Sequence, residues 1–367
     1  MTTTEIIATL RLQNIPNIGS VTAKKLIAHC GSSAAIFELK RAQLLKIDGI
    51  GFLKLKNLYD GAHLEAAQAE YEFIVNHNIE TVYFMDPEYP NYLKHAIDAP
   101  ILLFKRGNIN LEGRKIISVV GTRKITSYGT AFCEKFIEDI APLNPIIVSG
   151  FAYGVDICIQ KEAIKHGLQT IGCLAHGLNQ IYPKTHSKYS VDVEKNGGFF
   201  TEFWSSSTPE RENFLKRNRI IAGLSEATVV IESAEKGGSL VTADIANSYN
   251  RDVFAVPGRA QDKYSTGCNN LIKQQKAHML TSAADLIYLL DWQTTQKLSQ
   301  ATQKQLFIEF TEIEQQIYDF LQVEGKQVLD TIALSCQIPI FKTSSTLLHM
   351  EMKGAIRPLP GKLYEAI

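Results

Sequence analysis

No C-x-x-C pair occurs in the sequence: its six cysteines, at 30, 133, 158, 173, 268 and 336, are scattered. That spacing excludes a zinc site and a disulfide framework and points to a reducing, cytoplasmic compartment. Cys133, Cys158 and Cys173 stand in apolar context, as small core residues do. Long apolar runs are also missing; none approaches the roughly 18 residues a membrane span needs. The first residues lack the basic-then-apolar order of a signal peptide. Nor is there an excess of charge of one sign, since 38 Lys and Arg offset 38 Asp and Glu over 367 residues. Proteins that coat duplex DNA carry a basic excess, so any nucleic-acid site here must gather its cations in a patch. The G-x-x-x-x-G-K-[ST] loop of nucleotide hydrolases is absent, as is the G-x-G-x-x-G fingerprint of dinucleotide binding. No acidic pair is placed for two-metal chemistry. No cofactor, metal site or catalytic residue is expected, and the chain reads as a binder rather than an enzyme.

What is present falls into three textures. Residues 1–75 have helical period and repeat one short pattern, Ile15-Pro16-Asn17-Ile18-Gly19 before Ala23 and Leu26, then Ile47-Asp48-Gly49-Ile50-Gly51 before Leu55 and Leu58. Each is an apolar residue, a Gly turn and a new helix. A strand at Thr81–Met85 and a Pro-rich passage to Pro100 follow. Over 80–291, short apolar runs (Ile116–Val120, Ile146–Ser149, Thr170–Ala175, Gly198–Thr201, Thr228–Glu232, Val253–Pro257) alternate with segments of helical length. Such alternation predicts an α/β domain, a doubly wound, mostly parallel Rossmann-like sheet with its ligand edge at the strand C-termini. Residues 292–305 read as a polar linker. Residues 306–367 predict three helices, from Ile313, near Val328–Cys336 and near Thr343–Lys353, and a hairpin across Pro360-Gly361, the order of a winged helix. Its third helix holds few cations for reading a major groove.

Several strand ends carry phosphate chemistry. Gly121-Thr122-Arg123 ends a strand where Gly lets a phosphate approach, helix N–H groups are unpaired and Arg forks onto phosphate oxygens. Equally, it is an ordinary turn with a solvated Arg. Ser149-Gly150 opens a second such turn, with Asp156 at the next helix start as a cap or Arg clamp. His176, after the third run, shapes a loop or serves as a base, and His186 is alike. Gly238-Ser239 begins another Gly-rich turn of the anion-nest type. Between them lies Arg211-Glu-Asn-Phe214-Leu-Lys216-Arg217-Asn218-Arg219, a cationic run with one aromatic. Cations hold phosphates while an exposed Phe214 stacks an unpaired base; alternatively, Phe214 is core and the cations are a solvated face.

Taken together and in order, these motifs, with His176-Gly177-Leu178, Val256-Pro257-Gly258 and Gly267-Cys268-Asn269, resemble the DNA-processing protein A family (DprA, also called Smf) over about residues 80–290. The resemblance implies a single-stranded DNA-binding mediator that protects incoming DNA in natural transformation, loads the RecA recombinase and dimerises through the Rossmann-like domain. It implies phosphate contacts from Gly121, Thr122, Arg123, Ser149, Gly150, Arg211, Lys216, Arg217, Asn218, Arg219, Gly238 and Ser239, and stacking on Phe214. Leu215 stands where the family often has Pro, which leaves the local loop open. The end modules are similar to the family's accessory units, paired helix-hairpin-helix motifs at 12–60 and a winged helix at 306–367. The alternative is a phosphoribohydrolase-like enzyme or nucleotide sensor of the same superfamily. Against it, Gly237-Gly238-Ser239-Leu240 replaces the enzymes' Gly-Gly-x-Gly-Thr turn, and Glu232 lacks their neighbouring partner.

Overall fold

A computed structural model describes residues 1–292, 310–359 and 363–366. The chain divides between Thr294 and Thr295 into two compact units, taken separately below.

The first unit begins with helices α1 (Thr3–Asn14), α2 (Ser20–Cys30), α3 (Ser33–Glu38), α4 (Arg41–Leu44), α5 (Phe52–Leu55) and α6 (Gly61–Asn76). The repeated pattern explains their packing. Ile15, Ile18, Ala23 and Leu26 of the first copy meet Ile47, Ile50, Leu55 and Leu58 of the second in one buried cluster. Each Gly ends its pattern as an N-cap, Gly19 for α2 and Gly51 for α5. Leu10, Ala67 and Ile74 turn the other way and pack against Tyr83, Leu102, Phe104 and Phe199 of the sheet. These helices therefore share a core with the sheet edge.

The chain continues through β1 (Glu80–Tyr83), α7 (Asn91–Lys94), β2 (Leu102–Gly107), β3 (Ile116–Gly121), α8 (Ser127–Ile140), β4 (Ile146–Ser149), α9 (Val155–Lys165), β5 (Thr170–Cys173), α10 (Ser187–Lys195) and β6 (Gly197–Thr201). Then come α11 (Arg211–Leu224), β7 (Ala227–Ile231), α12 (Gly238–Ser248), β8 (Asp252–Ala255), α13 (Thr266–Lys273), β9 (His278–Met279) and α14 (Ala283–Leu289). The sheet order is β1-β2-β6-β5-β4-β3-β7-β8-β9. Strands from β6 to β9 run parallel, while β1 and β2 add an antiparallel edge. Parallel strands covered on both faces are apolar throughout, and β3, β4, β5 and β7 are buried along nearly their whole length. The six expected runs are all strands, and the sheet is the mostly parallel one predicted. β2, hidden behind the Pro-rich passage, and the two-residue β9 were not expected. Trp292, placed in the linker by composition, is buried against Ile137, Ile140 and Leu286 and belongs to this unit. The rest of the expected linker, 293–305, lies outside the described residues, as does the Pro360-Gly361 turn.

The second unit holds α15 (Glu312–Glu324), β10 (Gln327–Val328), α16 (Leu329–Ser335), α17 (Ile340–Met352), β11 (Ile356–Leu359) and β12 (Leu363–Ala366). Thr311 and Glu314 cap α15 reciprocally. The strands pair in the order β10-β12-β11; three helices and this small sheet form a winged helix. Its third helix starts at Ile340, three residues earlier than expected, because Pro339 supplies a fixed φ just outside the first turn. Among the described residues no helix is long and apolar enough to cross a membrane.

Candidate nucleic-acid interface

Strand order reverses between β3 and β7, because the chain winds outward through β4, β5 and β6 and returns to lie beside β3. Crevices in open α/β sheets form at such switch points, at the strand C-termini. Here one cleft of about 760 Å³ lies there. Gly121, Thr122 and Arg123 from the end of β3 form one wall, Arg211, Phe214 and Asn218 from α11 a second, and Gly238 and Ser239 from α12 a third. These motifs, separated by up to 118 residues (121 to 239), meet in one place. Lys236, outside the expected set, lines the cleft too and is exposed. Its signal was its position in the Gly-rich turn, two residues before Gly238.

Helix α12 starts at Gly238 with Gly237 as N-cap and no side-chain cap. The first N–H groups of a helix have no partner inside it, and the dipole there favours an anion. Ser239 is held by a 2.9 Å hydrogen bond between its hydroxyl and Ser233. Arg123, Arg211 and Lys236 are exposed and make no ion pair among the described residues. Among the described residues the only carboxylate lining the cleft is the buried Asp156. Phe214 is half-buried, with the Arg123 guanidinium 5.0 Å from its ring centre and the Tyr182 ring at 6.0 Å. The ring is thus neither a free platform nor a core residue; Arg123 covers part of it.

Four expected contacts lie elsewhere, and a fifth, Arg217, lines the cleft but spends its guanidinium inside the protein. Arg217 is buried: its guanidinium donates to the carbonyls of Gly150 and Cys173 and faces the charge of Asp156. Asp156 in turn accepts from the N–H groups of Gly150 and Ala152. Burial pushes the Asp156 carboxyl up, and the Arg217 charge pulls it back down. The sequence suggested this Arg clamp for Asp156, but not that Arg217 supplies it. Lys216 and Arg219 face a different groove, beside Asp98 and Glu202, and Arg219 is engaged by the Glu202 carboxylate and the Asp98 carbonyl. Helical geometry is the reason: residues turn about 100° apart, so 216 and 219 share one face while 211, 214 and 218 share another. Ser149 is fully buried, its hydroxyl donating to the Val119 carbonyl, and the Gly150 N–H is taken by Asp156. Gly150 has no room for a side chain: a Cβ would sit 2.6 Å from both Arg217 Nη1 and Asp156 Oδ2.

Glu232 and one ring nitrogen of each histidine that suggested chemistry are engaged. The Glu232 carboxylate accepts from the Thr126 N–H and hydroxyl at the start of α8. The Nδ1 of His176 lies 2.9 Å from the Gly177 carbonyl, and that of His186 lies 3.0 Å from the Phe151 carbonyl. Burial lowers the pKa of both imidazoles.

Residues 80–291 match the family described as DNA recombination-mediator protein A, and residues 300–362 match the DprA winged helix domain. The chain belongs to the DNA recombination-mediator protein A family. Among members of that family, DNA processing protein DprA of Bacillus subtilis is 39% identical over 210 residues, covering 57% of this chain and 70% of the relative. Protein Smf of Escherichia coli is 32% identical over 74% of each chain. The X-ray structure of DNA processing protein A from Streptococcus pneumoniae superposes with a TM-score of 0.66 at 30% identity, covering 78% of this chain and 98% of that one. The Helicobacter pylori protein, described for its single-stranded DNA binding mode, superposes with a TM-score of 0.53 at 26% identity over 58% of this chain and 96% of that one.

Proposed function

We propose that this chain binds single-stranded DNA in the cleft at the β3/β7 switch point and acts as a recombination mediator on it. Arg123, Arg211, Lys236 and the N-terminus of α12 hold phosphates; Phe214 and the guanidinium above it offer flat surfaces to an unpaired base. The observation that carries this reading is the convergence on one cleft of three cations without an ion pair among the described residues, an open helix N-terminus and an aromatic ring. The Helicobacter pylori relative, described as binding single-stranded DNA, supports it. Protection of incoming DNA, loading of the RecA recombinase and a cytoplasmic setting in natural transformation are proposed on the same family basis. So is a homodimer through residues 245–290, where Met279 and Tyr288 are exposed. The engagement of Glu232 in capping α8 favours a binder over a phosphoribohydrolase-like enzyme.

Affinity for oligo-dT and for duplex DNA, measured on Phe214→Ala together with its thermal stability, tests the proposal. Base stacking is worth about 1–3 kcal/mol, so single-strand affinity should fall roughly 5- to 150-fold. Stability should fall by less than the ~3–5 kcal/mol of a core Phe→Ala change. Full affinity in the folded variant removes the stacking role.

A further inference from the structure

Helix α17 turns Thr343, Leu347 and Met350 into the core of the winged-helix unit. Its opposite face carries Phe341 and Leu348, which are 78% and 56% exposed. Seven residues apart, they lie in line along the helix, with the small exposed Ser344 and Ser345 between them. Ile340 adds a further exposed apolar side chain at the helix start, and Leu334, 81% exposed, adds one from α16, which packs on α17. Isolated exposed apolar residues need no explanation, but a grouped set marks an interaction surface.

A winged helix that reads duplex DNA sets its third helix in the major groove, and cations beside that helix hold the phosphates. In this unit three of the four described Lys and Arg side chains are engaged internally. Lys353 pairs with Glu314 at 2.6 Å, Lys326 with Glu365 at 3.3 Å, and Arg357 also with Glu365. Among the described residues of the unit Lys342 alone of the Lys and Arg side chains is outside an ion pair. Glu312, Asp319, Glu324, Asp330 and Glu351 are all exposed and make no ion pair among the described residues. The described residues of the unit thus hold seven carboxylates against four Lys and Arg, an acidic excess that repels a phosphate backbone and attracts a basic partner.

We propose that this face docks protein rather than DNA, and that its occupant is a basic amphipathic helix of a partner. Laid along α17, such a helix sets apolar side chains at three- and four-residue spacing against Phe341, Leu348 and Leu334. Its Lys and Arg residues meet the acidic surround, including Asp330 and Glu351. The proposal does not rest on the single-stranded DNA reading of the cleft.

The test uses the full chain and, as probe, a short helical peptide of leucine and lysine with leucine along one face. A matched peptide with glutamate for lysine, a duplex oligonucleotide and oligo-dT accompany it. The lysine peptide should bind at least about tenfold tighter than the glutamate peptide. Phe341→Ser with Leu348→Ser should abolish that binding while oligo-dT affinity and helix content stay unchanged. Asp330→Lys with Glu351→Lys, at exposed positions that leave folding intact, should weaken the lysine peptide and improve the glutamate one. Equal affinity of the two peptides for the unmodified chain overturns the proposal. So does a duplex oligonucleotide that displaces the lysine peptide and loses affinity in the Phe341→Ser, Leu348→Ser variant. Sedimentation showing that this variant only abolishes self-association would assign the face to a second copy and also overturn it.

Discussion

Arg217 stands in the sequence as one more cation of a basic run, yet its guanidinium closes the ends of β4 and β5 by donating to Gly150 and Cys173. Composition cannot separate a cation that meets solvent from one that meets carbonyls; only the rotation of α11 does. The roles of Arg123 and Arg211 as exposed cleft cations were legible, because a residue right after a strand and one at a helix start have little structure left to cover them. Removing the Arg217 guanidinium leaves two carbonyls and the buried Asp156 carboxylate uncompensated. Arg217→Ala should therefore lose about 3–5 kcal/mol of stability at neutral pH. Asp156 has its folded-state pKa raised by burial and lowered by Arg217, so the variant raises it further above the unfolded value of about 4. Stability from that bound proton is full below the unfolded value and is lost as pH rises through the folded one. The deficit of the variant should thus shrink toward acid pH, as denaturant melts at pH 7 and pH 5 will read; a constant deficit would show that Asp156 does not sense Arg217.

Among the elements, the central strands were legible because burial on both faces leaves runs such as Ile116–Val120 and Ile146–Ser149 with no polar break beyond a serine. β2 was not, since Leu102–Phe104 follows Pro100 after a single residue and the strand closes on Lys105-Arg106-Gly107. As an antiparallel strand beside the edge, it tolerates those charges, with Lys105 paired to Glu80 across the edge at 2.8 Å. The two Gly patterns at 15–19 and 47–51 announced helix starts, and the structure opens α2 and α5 there. Their burial against each other required residues 32 positions apart to meet (15 to 47), which periodicity does not reveal. At α8 the start is set by Thr126, whose hydroxyl accepts from the Gly129 N–H at 3.3 Å and donates to Glu232. Thr126→Ala should destabilise the unit by about 0.5–2 kcal/mol and leave oligo-dT affinity at the wild-type level, since neither residue lines the cleft. A drop in affinity without a drop in melting temperature would give Glu232 a part in binding.

For the molecule as a whole, neutrality was the most informative number in the sequence, since it required the cations to be gathered. The structure gathers Arg123, Arg211 and Lys236 in the cleft and sends Lys216 and Arg219 to another groove. Binding of single strands releases counterions at about 0.7 per phosphate neutralised, so three cations give a log–log salt slope of roughly −2. Arg123→Ala should reduce that slope by about 0.7 on every sequence, whereas Lys216→Ala should leave it unchanged. Titrations of labelled oligo-dT across salt concentrations measure both; an equal change in the two variants would mean that the strand crosses both grooves.

Considered mechanically, α11 is a bracket. Its first turn carries Arg211 and Phe214 into the cleft, while its middle is bolted to the sheet by Arg217 on one side and to Glu202 and Asp98 by Arg219 on the other. A strand pulled through the cleft would load those bolts side by side, across two strand ends at once, rather than peeling one contact after another. The cations turned away from the cleft are what allow the remaining ones to bear tension.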